Sequence, residues 1–388
     1  MKPELTLEYG ALSKLRDVLK QTGSQSALVV TGKASFAGCG AKAEFDKLEG
    51  EFKFTYFNDF SINPKIEEAQ KGIELFEQLE TNVVIAVGGG SVIDMAKIIV
   101  ALSKQASKDY PDLVKSSSQL VDNNVNFIAI PTTAGTGSET THFAVVYIEG
   151  VKYSLARPYL LPDHAIVDPS LTLHLPESIA AETAFDALCQ ATESYWATGS
   201  TEESKGYAKE AIEALLPNMV KGVKEKNKEA KLALAKGAHL AGKAINISKT
   251  TAPHAISYPI TTKFGVPHGH AVALTLGKFF ELNSTSADLN DKRGKDYLAT
   301  TMNELFEIYG VKTAKEAENN WHSLMKEVGL EPNMKKVGIR DKEDIEYITS
   351  KINLERLGNH PIKMTRNGFD KIFGELLKKN IKPDNIDC

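Results

Sequence analysis

The run Asn82-Val83-Val84-Ile85-Ala86-Val87, ending in Gly88-Gly89-Gly90, constrains this chain more than any other feature. A strand that is apolar on both sides must be covered on both sides, as in the centre of a parallel sheet with helices above and below. Ala27-Leu28-Val29-Val30 and Phe127-Ile128-Ala129-Ile130, the latter stopped by Pro131, have the same character. Phe52 to Phe57 is a further candidate strand, and Ala165-Ile166-Val167 a last one before Asp168-Pro169. Between them, Ile66 to Leu79 places Ile66, Ala69, Ile73 and Phe76 on one helical face, and Asp94 to Leu102 continues as a helix. Val145 to Ile148 and Val151 to Tyr153, joined by Glu149-Gly150, predict a small hairpin. Such alternation of strand and helix predicts an α/β fold with a parallel sheet.

The pattern changes at Leu175-Pro176-Glu177. Ala180 to Ala197, Ser204 to Val220 and Asn227 to Ala244 have long helical spacing, and β signals become sparse. The charged stretch 308–345 reads as solvated outer helices, and Phe369 to Lys379 as a further amphipathic helix. The 388 residues suit two domains, an α/β domain over 1–173 and an all-helical domain over 174–388. Composition narrows the class. With a net charge of −4 and no basic block, nucleic acid is not the expected partner. Cys39, Cys189 and Cys388 lie far apart with no CxxC pair, which suits a reducing compartment. The start Met1-Lys2-Pro3-Glu4-Leu5 lacks an apolar leader, and no run approaches the ~20 apolar residues of a membrane span. A cytoplasmic protein with no membrane partner is therefore expected.

Three loops follow strands and could hold a dinucleotide. In the first, Gly88, Gly89, Gly90 and Ser91 lead into a helix whose free N–H groups could bind a pyrophosphate, with Ser91 as helix cap. The motif departs from GxGxxG, and a plain strand-to-helix turn is the alternative. The second loop, Pro131 to Thr140, offers Thr132, Thr133, Thr136 and Ser138 beside Gly135 and Gly137. These hydroxyls suit a phosphate or ribose; a cap by Thr136 or Ser138 is the plainer reading. The third, Thr31-Gly32-Lys33-Ala34-Ser35, has no acid to accept ribose hydroxyls. Gly32 leaves space, and Lys33 or Ser35 could donate to a phosphate, which favours NADPH; a merely solvated Lys33 stands beside this reading. Loops at the carboxyl ends of parallel strands would face one crevice.

On the other side of the chemistry, Asp186 and Gln190 are four apart and share one helical face. With His254 and His268 they could supply two oxygens and two imidazole nitrogens, a set suited to a divalent first-row metal. Such a metal would polarise a carbonyl and stabilise the alkoxide. The spacing is not a zinc signature, and Asp186 as a helix cap or a histidine closing a loop remain open.

Five ordered motifs carry a resemblance: Gly88 to Asp94, Pro131 to Glu139, Pro162 to Pro169, the Asp186 helix, and His254 to His270. On these, nearly the whole chain resembles the group III, iron-containing alcohol dehydrogenases, related in fold to dehydroquinate synthase. The resemblance implies a nucleotide-binding α/β domain facing an all-helical metal-bearing domain across a cleft. It further implies NAD(P)H, a divalent metal (Fe2+ first, Zn2+ second), and a homodimer or larger assembly. The family metal is held by Asp, His, His and His. Asp186 matches the first ligand, His254 and His268 the last two, and Gln190 stands where the second is expected. A further family histidine, four after the third ligand, is Tyr258 here. Tyr258 or His270 would then relay the proton, with a structural role as the alternative for His270. Lys152 and Asp94 would position the cofactor.

The stretches 186–196, 152–158 and 267–274 resemble the phosphonoacetaldehyde reductases of the family, which yield 2-hydroxyethylphosphonate. A small anionic aldehyde is then the expected substrate. Arg157, Lys249 and Lys263 are the candidate contacts for its tail, Arg157 first because its fork matches phosphonate oxygens. The competing readings are a general small-aldehyde or alcohol dehydrogenase, a dehydroquinate synthase-like lyase, and a metal-free nucleotide-binding protein suggested by Gln190.

Overall fold

The computed structural model describes residues 3–365, 368, 369 and 372–374. Cys388 and most of the helix expected over 369–379 lie outside the described residues. The strands are β1 (Glu4–Leu7), β2 (Ser26–Thr31), β3 (Lys53–Phe57), β4 (Val83–Gly88), β5 (Asn126–Pro131), β6 (Phe143–Ile148), β7 (Val151–Ala156) and β8 (His164–Val167). Six form one parallel sheet in the order β1-β8-β5-β4-β2-β3, and β6 and β7 form an antiparallel hairpin. The central strands are apolar on both sides because both sides are covered. Leu28, Val30, Val84, Ala86, Phe127 and Ala129 enter one core. The alternate residues, among them Val29, Val83, Ile85, Val87, Ile128 and Ile130, enter the core on the opposite face. β1, which the sequence pattern does not announce, is a short edge strand with Glu4 and Leu5 exposed, so it lacks the apolar signature of its neighbours.

From β2 the chain moves outward to β3, and from β4 it moves the other way to β5. The connections therefore diverge between β2 and β4, which opens a crevice at the carboxyl ends of those strands. The loops after β2, β4 and β5 all border it.

Past β8 the chain is helical. The Glu177–Trp196 helix is buried continuously from Ala184 to Trp196 and forms the centre of this half. Lys228–Ser248, Ala252–Phe264 and His268–Thr285 surround it. The 308–345 stretch corrects the expectation of outer helices. Within its Ala314–Glu327 helix, Trp321 and Met325 are buried, and Trp321 packs edge-on against Phe185 with ring centroids 5.2 Å apart. Trp321 Nε1 also donates to the Ala273 carbonyl at 2.9 Å. Charge on the remaining faces of that helix masks a buried stripe. Among the described residues no helix is long and apolar enough to cross a membrane.

The α/β and helical halves meet through glycines. Gly137 has φ +60, and a Cβ there would lie 2.4 Å from the Gly242 Cα. A Cβ on Gly135 would lie 2.6 Å from the Thr183 Cβ. Both glycines of the loop after β5 thus let it sit directly on the Lys228–Ser248 and Glu177–Trp196 helices. Their role is close packing between the two halves.

Candidate active site

The first glycine loop becomes the start of the Gly90–Leu102 helix. Its cap position is Gly89, with no side-chain cap, and Val92 N and Ile93 N bond back to the Gly89 carbonyl. Ser91 does not cap the helix as expected; it lies inside the first turn, and its Oγ accepts from Asn63 N at 3.3 Å. The first N–H groups of a helix have no intrahelical acceptor and carry the positive end of its dipole. Bulkier residues would collide with neighbouring side chains here. A Cβ on Gly90 would lie 2.7 Å from Thr136 Cγ2, and one on Gly88 2.4 Å from Val92 Cγ2. Thr133 and Thr136 are half-buried beside these glycines, whereas Thr132 is buried and bonds through its N–H to the Gly88 carbonyl. Such a backbone cradle fits a dinucleotide pyrophosphate.

Gly32 ends β2 and is closely backed by Ser35, whose Oγ would lie 2.2 Å from a Cβ at Gly32. Lys33 is exposed and lies 3.7 Å from Asp59, which also accepts from Lys71 at 2.8 Å. The acid absent from the loop after β2 thus comes from the loop after β3. An exposed pair of this kind holds Lys33 only weakly.

Asp94 and Ser138 meet each other. Ser138 Oγ donates to Asp94 Oδ1 at 2.8 Å, and the other carboxylate oxygen accepts from Val145 N at 3.0 Å. Lys97, one turn on and fully buried, donates to the carbonyls of Ser138, Thr141 and Phe143 at 2.7, 2.6 and 3.0 Å. Burial pulls its pKa down to about 8. Asp94, Lys97 and Ser138 therefore shape the second loop and fix the β6–β7 hairpin to it. Lys97 escaped the sequence reading, although a lysine within an otherwise apolar helix stretch was its signal.

Across the crevice, the Glu177–Trp196 helix presents Asp186, Gln190 and Glu193, while His254 and His268 come from the first turns of two further helices. Ligand atoms of Asp186, His254 and His268 all lie within 4.8 Å of one another. Asp186 Oδ1 is 3.4 Å from His254 Nε2 and 3.8 Å from His268 Nε2. Gln190 Nε2 donates to Asp186 Oδ2 at 3.1 Å. Asp186 Oδ1, Gln190 Oε1 and His254 Nε2 are buried without a hydrogen-bond partner. Each such orphan costs about 1–3 kcal/mol, so three beside one carboxylate fit a cation that satisfies them together.

The histidines are held from behind. His254 Nδ1 hydrogen-bonds Glu193 Oε1, whose other oxygen accepts from Thr251 N and Oγ1 at 2.7 and 2.8 Å. Trp196 Nε1 donates to Thr251 Oγ1 at 3.0 Å. Glu193 thereby leaves His254 Nε2 for the site. Ser257 Oγ lies 3.2 Å from His268 Nδ1. Burial alone would lower the His254 pKa, but Glu193 and Asp186 outweigh it and raise it to about 9. His268 is pushed the other way, to about 3, by burial against the pull of Asp186 and with His254, Lys152 and Arg356 nearby. Its side chain keeps 37% exposure. A pH prediction follows. Below pH about 9 the metal-free protein carries a proton on His254 that must leave before Nε2 can ligate. Metal affinity is expected to rise as pH climbs from 7 towards 9, with proton release on binding. Calorimetric metal titrations in buffers of different ionisation enthalpy check this; zero proton release at pH 7 would contradict it.

Tyr258 stacks on His268, with centroids 5.5 Å apart and rings 5° from parallel. Lys152 Nζ sits 3.3 Å from the Tyr258 ring centroid, and Arg356 Nη1 donates to the Tyr258 hydroxyl at 3.0 Å. Burial, then Arg356, lowers the Lys152 pKa well below its usual range. Arg356 was not anticipated.

Three of the remaining expected contacts are engaged elsewhere, and the fourth, Lys249, is exposed. His270 is two residues past His268, on a different helical face, and its Nε2 bonds the Glu331 carbonyl at 2.8 Å. Arg157 Nη1 donates to the Ser118 carbonyl at 3.1 Å, five residues beyond Lys152 along the strand. Lys263 pairs with Asp344 at 2.8 Å, nine residues beyond His254 on the same helix. Lys249 ends the Lys228–Ser248 helix with φ +61 and an exposed side chain.

A dinucleotide cradle on one half and a cation-ready cluster on the other define a metal-assisted nicotinamide dehydrogenase. Comparison with known proteins agrees. Residues 3–169 match the iron-containing alcohol dehydrogenase family, and residues 180–377 match the C-terminal region of the Fe-containing alcohol dehydrogenase family. The chain is 30% identical over 312 residues to phosphonoacetaldehyde reductase of Streptomyces viridochromogenes, covering 76% of each protein. It is 30% identical over 370 residues to NADPH-dependent butanol dehydrogenase of Clostridium saccharobutylicum, covering 92% of each. Among solved structures, sulfoacetaldehyde reductase from Bifidobacterium kashiwanohense in complex with NAD+ superposes with a TM-score of 0.87 at 27% identity, covering 97% of this chain and 98% of that one. The chain belongs to the iron-containing alcohol dehydrogenase family and is an NAD(P)-dependent alcohol/aldehyde dehydrogenase.

Proposed function

We propose that this enzyme reduces a small aldehyde to its alcohol with NAD(P)H at a divalent metal held by Asp186, His254 and His268, with Gln190 Oε1 as the fourth protein donor. The observation that carries this is the group of buried, unpartnered ligand atoms around Asp186. The family favours Fe2+, with Zn2+ second; Lys33 supports NADPH while Asp59, 3.7 Å from it, supports NADH, so the reading keeps both dinucleotides. When bound, the metal supplies a Lewis acid for the carbonyl oxygen and the nicotinamide supplies the hydride.

The chain's own residues do the rest. The N–H groups at Gly90 and Ser91, with Thr133 and Thr136 beside them, hold the pyrophosphate. Asp94 and Ser138 anchor the hairpin that carries Lys152 against Tyr258. Glu193 and Ser257 fix the two imidazoles. The Tyr258 hydroxyl delivers the proton to the product oxygen, and the hydrogen bond from Arg356 eases its loss.

Within this reading the aldehyde is phosphonoacetaldehyde and the product 2-hydroxyethylphosphonate. The phrases Asp186 to Trp196 and Lys152 to Pro158 support it, as do two relatives whose names specify an acid-tailed two-carbon aldehyde. The second reading is a small uncharged aldehyde, favoured by relatives named for butanol and lactaldehyde. Assaying NADH and NADPH oxidation with phosphonoacetaldehyde, lactaldehyde and butanal, in Fe2+ or Zn2+, tests both. Phosphonoacetaldehyde is expected to exceed butanal in kcat/KM by at least about tenfold, or ~1.4 kcal/mol in the transition state. Equal values favour the second reading, and no reduction of any aldehyde refutes both.

A further inference from the structure

We propose that Arg356 is the residue that binds the acidic tail of the substrate, a tetrahedral phosphonate or sulfonate group borne on the carbon beside the aldehyde. The proposal rests on the aldehyde-reductase reading of the same site and names what selects the substrate there.

Arg356 lies on a short helix, Leu354–Leu357, and is half-buried. Its guanidinium carbon is 5.1 Å from the Tyr258 ring, which in turn stacks on His268 at 5.5 Å. These two separations cap its distance from the His268 ring and place it one tyrosine away from the histidines.

Among the described residues no carboxylate pairs with Arg356, and its guanidinium donates to the neutral Tyr258 hydroxyl. A guanidinium has five N–H donors, so most of the fork remains for a ligand. Lys152 sits over the ring of the same tyrosine, so two basic groups lie close to one side chain. Two crowded bases repel, and an anion between or beside them relieves the repulsion. The planar fork matches two oxygens of a phosphonate or sulfonate better than a lysine does.

The segment carrying Arg356 is also fixed in place. Asn359 Nδ2 donates to the carbonyls of Ser248 and Thr250 at 2.7 and 2.9 Å, and Asn359 Oδ1 accepts from Gly199 N at 3.0 Å. Two of these anchors hold this stretch against the loop that precedes the His254 helix and the third against the loop after the Glu177–Trp196 helix, so Arg356 is presented rather than left to search. None of the three basic residues read from sequence shares this setting.

The test compares kcat/KM for phosphonoacetaldehyde, sulfoacetaldehyde and propanal in the metal-loaded enzyme. Arg356→Met is expected to lower the ratio of the better acid-tailed aldehyde to propanal by about 10- to 100-fold, the loss of a charged hydrogen-bonded contact. Whichever acid-tailed aldehyde is preferred identifies the tail as phosphonate or sulfonate. If Arg356→Met does not fold, Arg356→Lys keeps the charge without the fork and is expected to lower the ratio severalfold. A ratio unchanged by the substitution overturns the proposal. Ethylphosphonate and ethanesulfonate, which cannot be reduced, are titrated in parallel into the NADPH-loaded protein. At least one is expected to bind, and to bind about tenfold or more weakly to the variant; binding of neither, or equal binding to both proteins, overturns the proposal. If the wild type binds such an anion through Arg356 yet reduces no aldehyde, the reductase reading fails while the anion site stands.

Discussion

Asp186→Asn is expected to lower turnover with every aldehyde by about a thousandfold or more, because several kcal/mol of carbonyl polarisation depend on this carboxylate. Asp186 supplies the one negative charge among the ligand atoms it shares with His254 and His268, and its Oδ1 faces both imidazoles. An amide there keeps the shape but removes the charge that favours a divalent cation. Metal content by elemental analysis is expected to fall with activity, while NADPH binding by fluorescence changes little, since the glycine cradle lies on the other half. Wild-type turnover in the variant would remove Asp186 from the chemistry.

The next largest effect is predicted for Glu193→Gln, which touches no ligand-facing atom of the cluster. Glu193 is fully buried, receives His254 Nδ1, and takes two hydrogen bonds from Thr251. The substitution removes the charge that holds the imidazole in one tautomer and orientation. Partners of this kind are worth about 10- to 100-fold in metal affinity. A competition titration with a coloured chelator is expected to show that loss, together with a lower His254 pKa in the metal-free variant. An unchanged metal dissociation constant would mean that His254 is positioned by packing alone.

Much of this site is legible in one sequence because its parts obey local rules. The apolar run before Gly88 must be a central strand, and a loop at its carboxyl end must border the crevice. Asp186 and Gln190 share a face by helical periodicity, and Glu193 falls on that face by the same count. It was overlooked because a glutamate on a helix is ordinarily solvated, and only the tertiary burial of that helix removes the solvent. Gly135 and Gly137 carry no assigned role in the sequence. Their partners, Thr183 and Gly242, are distant in sequence, so the close packing they permit has no local trace. The same limit displaced the anion contacts. Arg157 and Lys263 stand near recognisable motifs, but the Ser118 carbonyl and Asp344, both distant in sequence, engage them. Arg356 stands near no motif and reaches Tyr258 only because Asn359 ties its segment down.

The account depends on chemistry that needs both halves at once, and metal depletion separates them most directly. The protein is stripped with a chelator, dialysed, and assayed for aldehyde-dependent NADPH oxidation before and after adding Fe2+ or Zn2+. The predicted result is that the stripped protein still binds NADPH but reduces aldehyde at under about a hundredth of the restored rate. Full turnover by verified metal-free protein would contradict it.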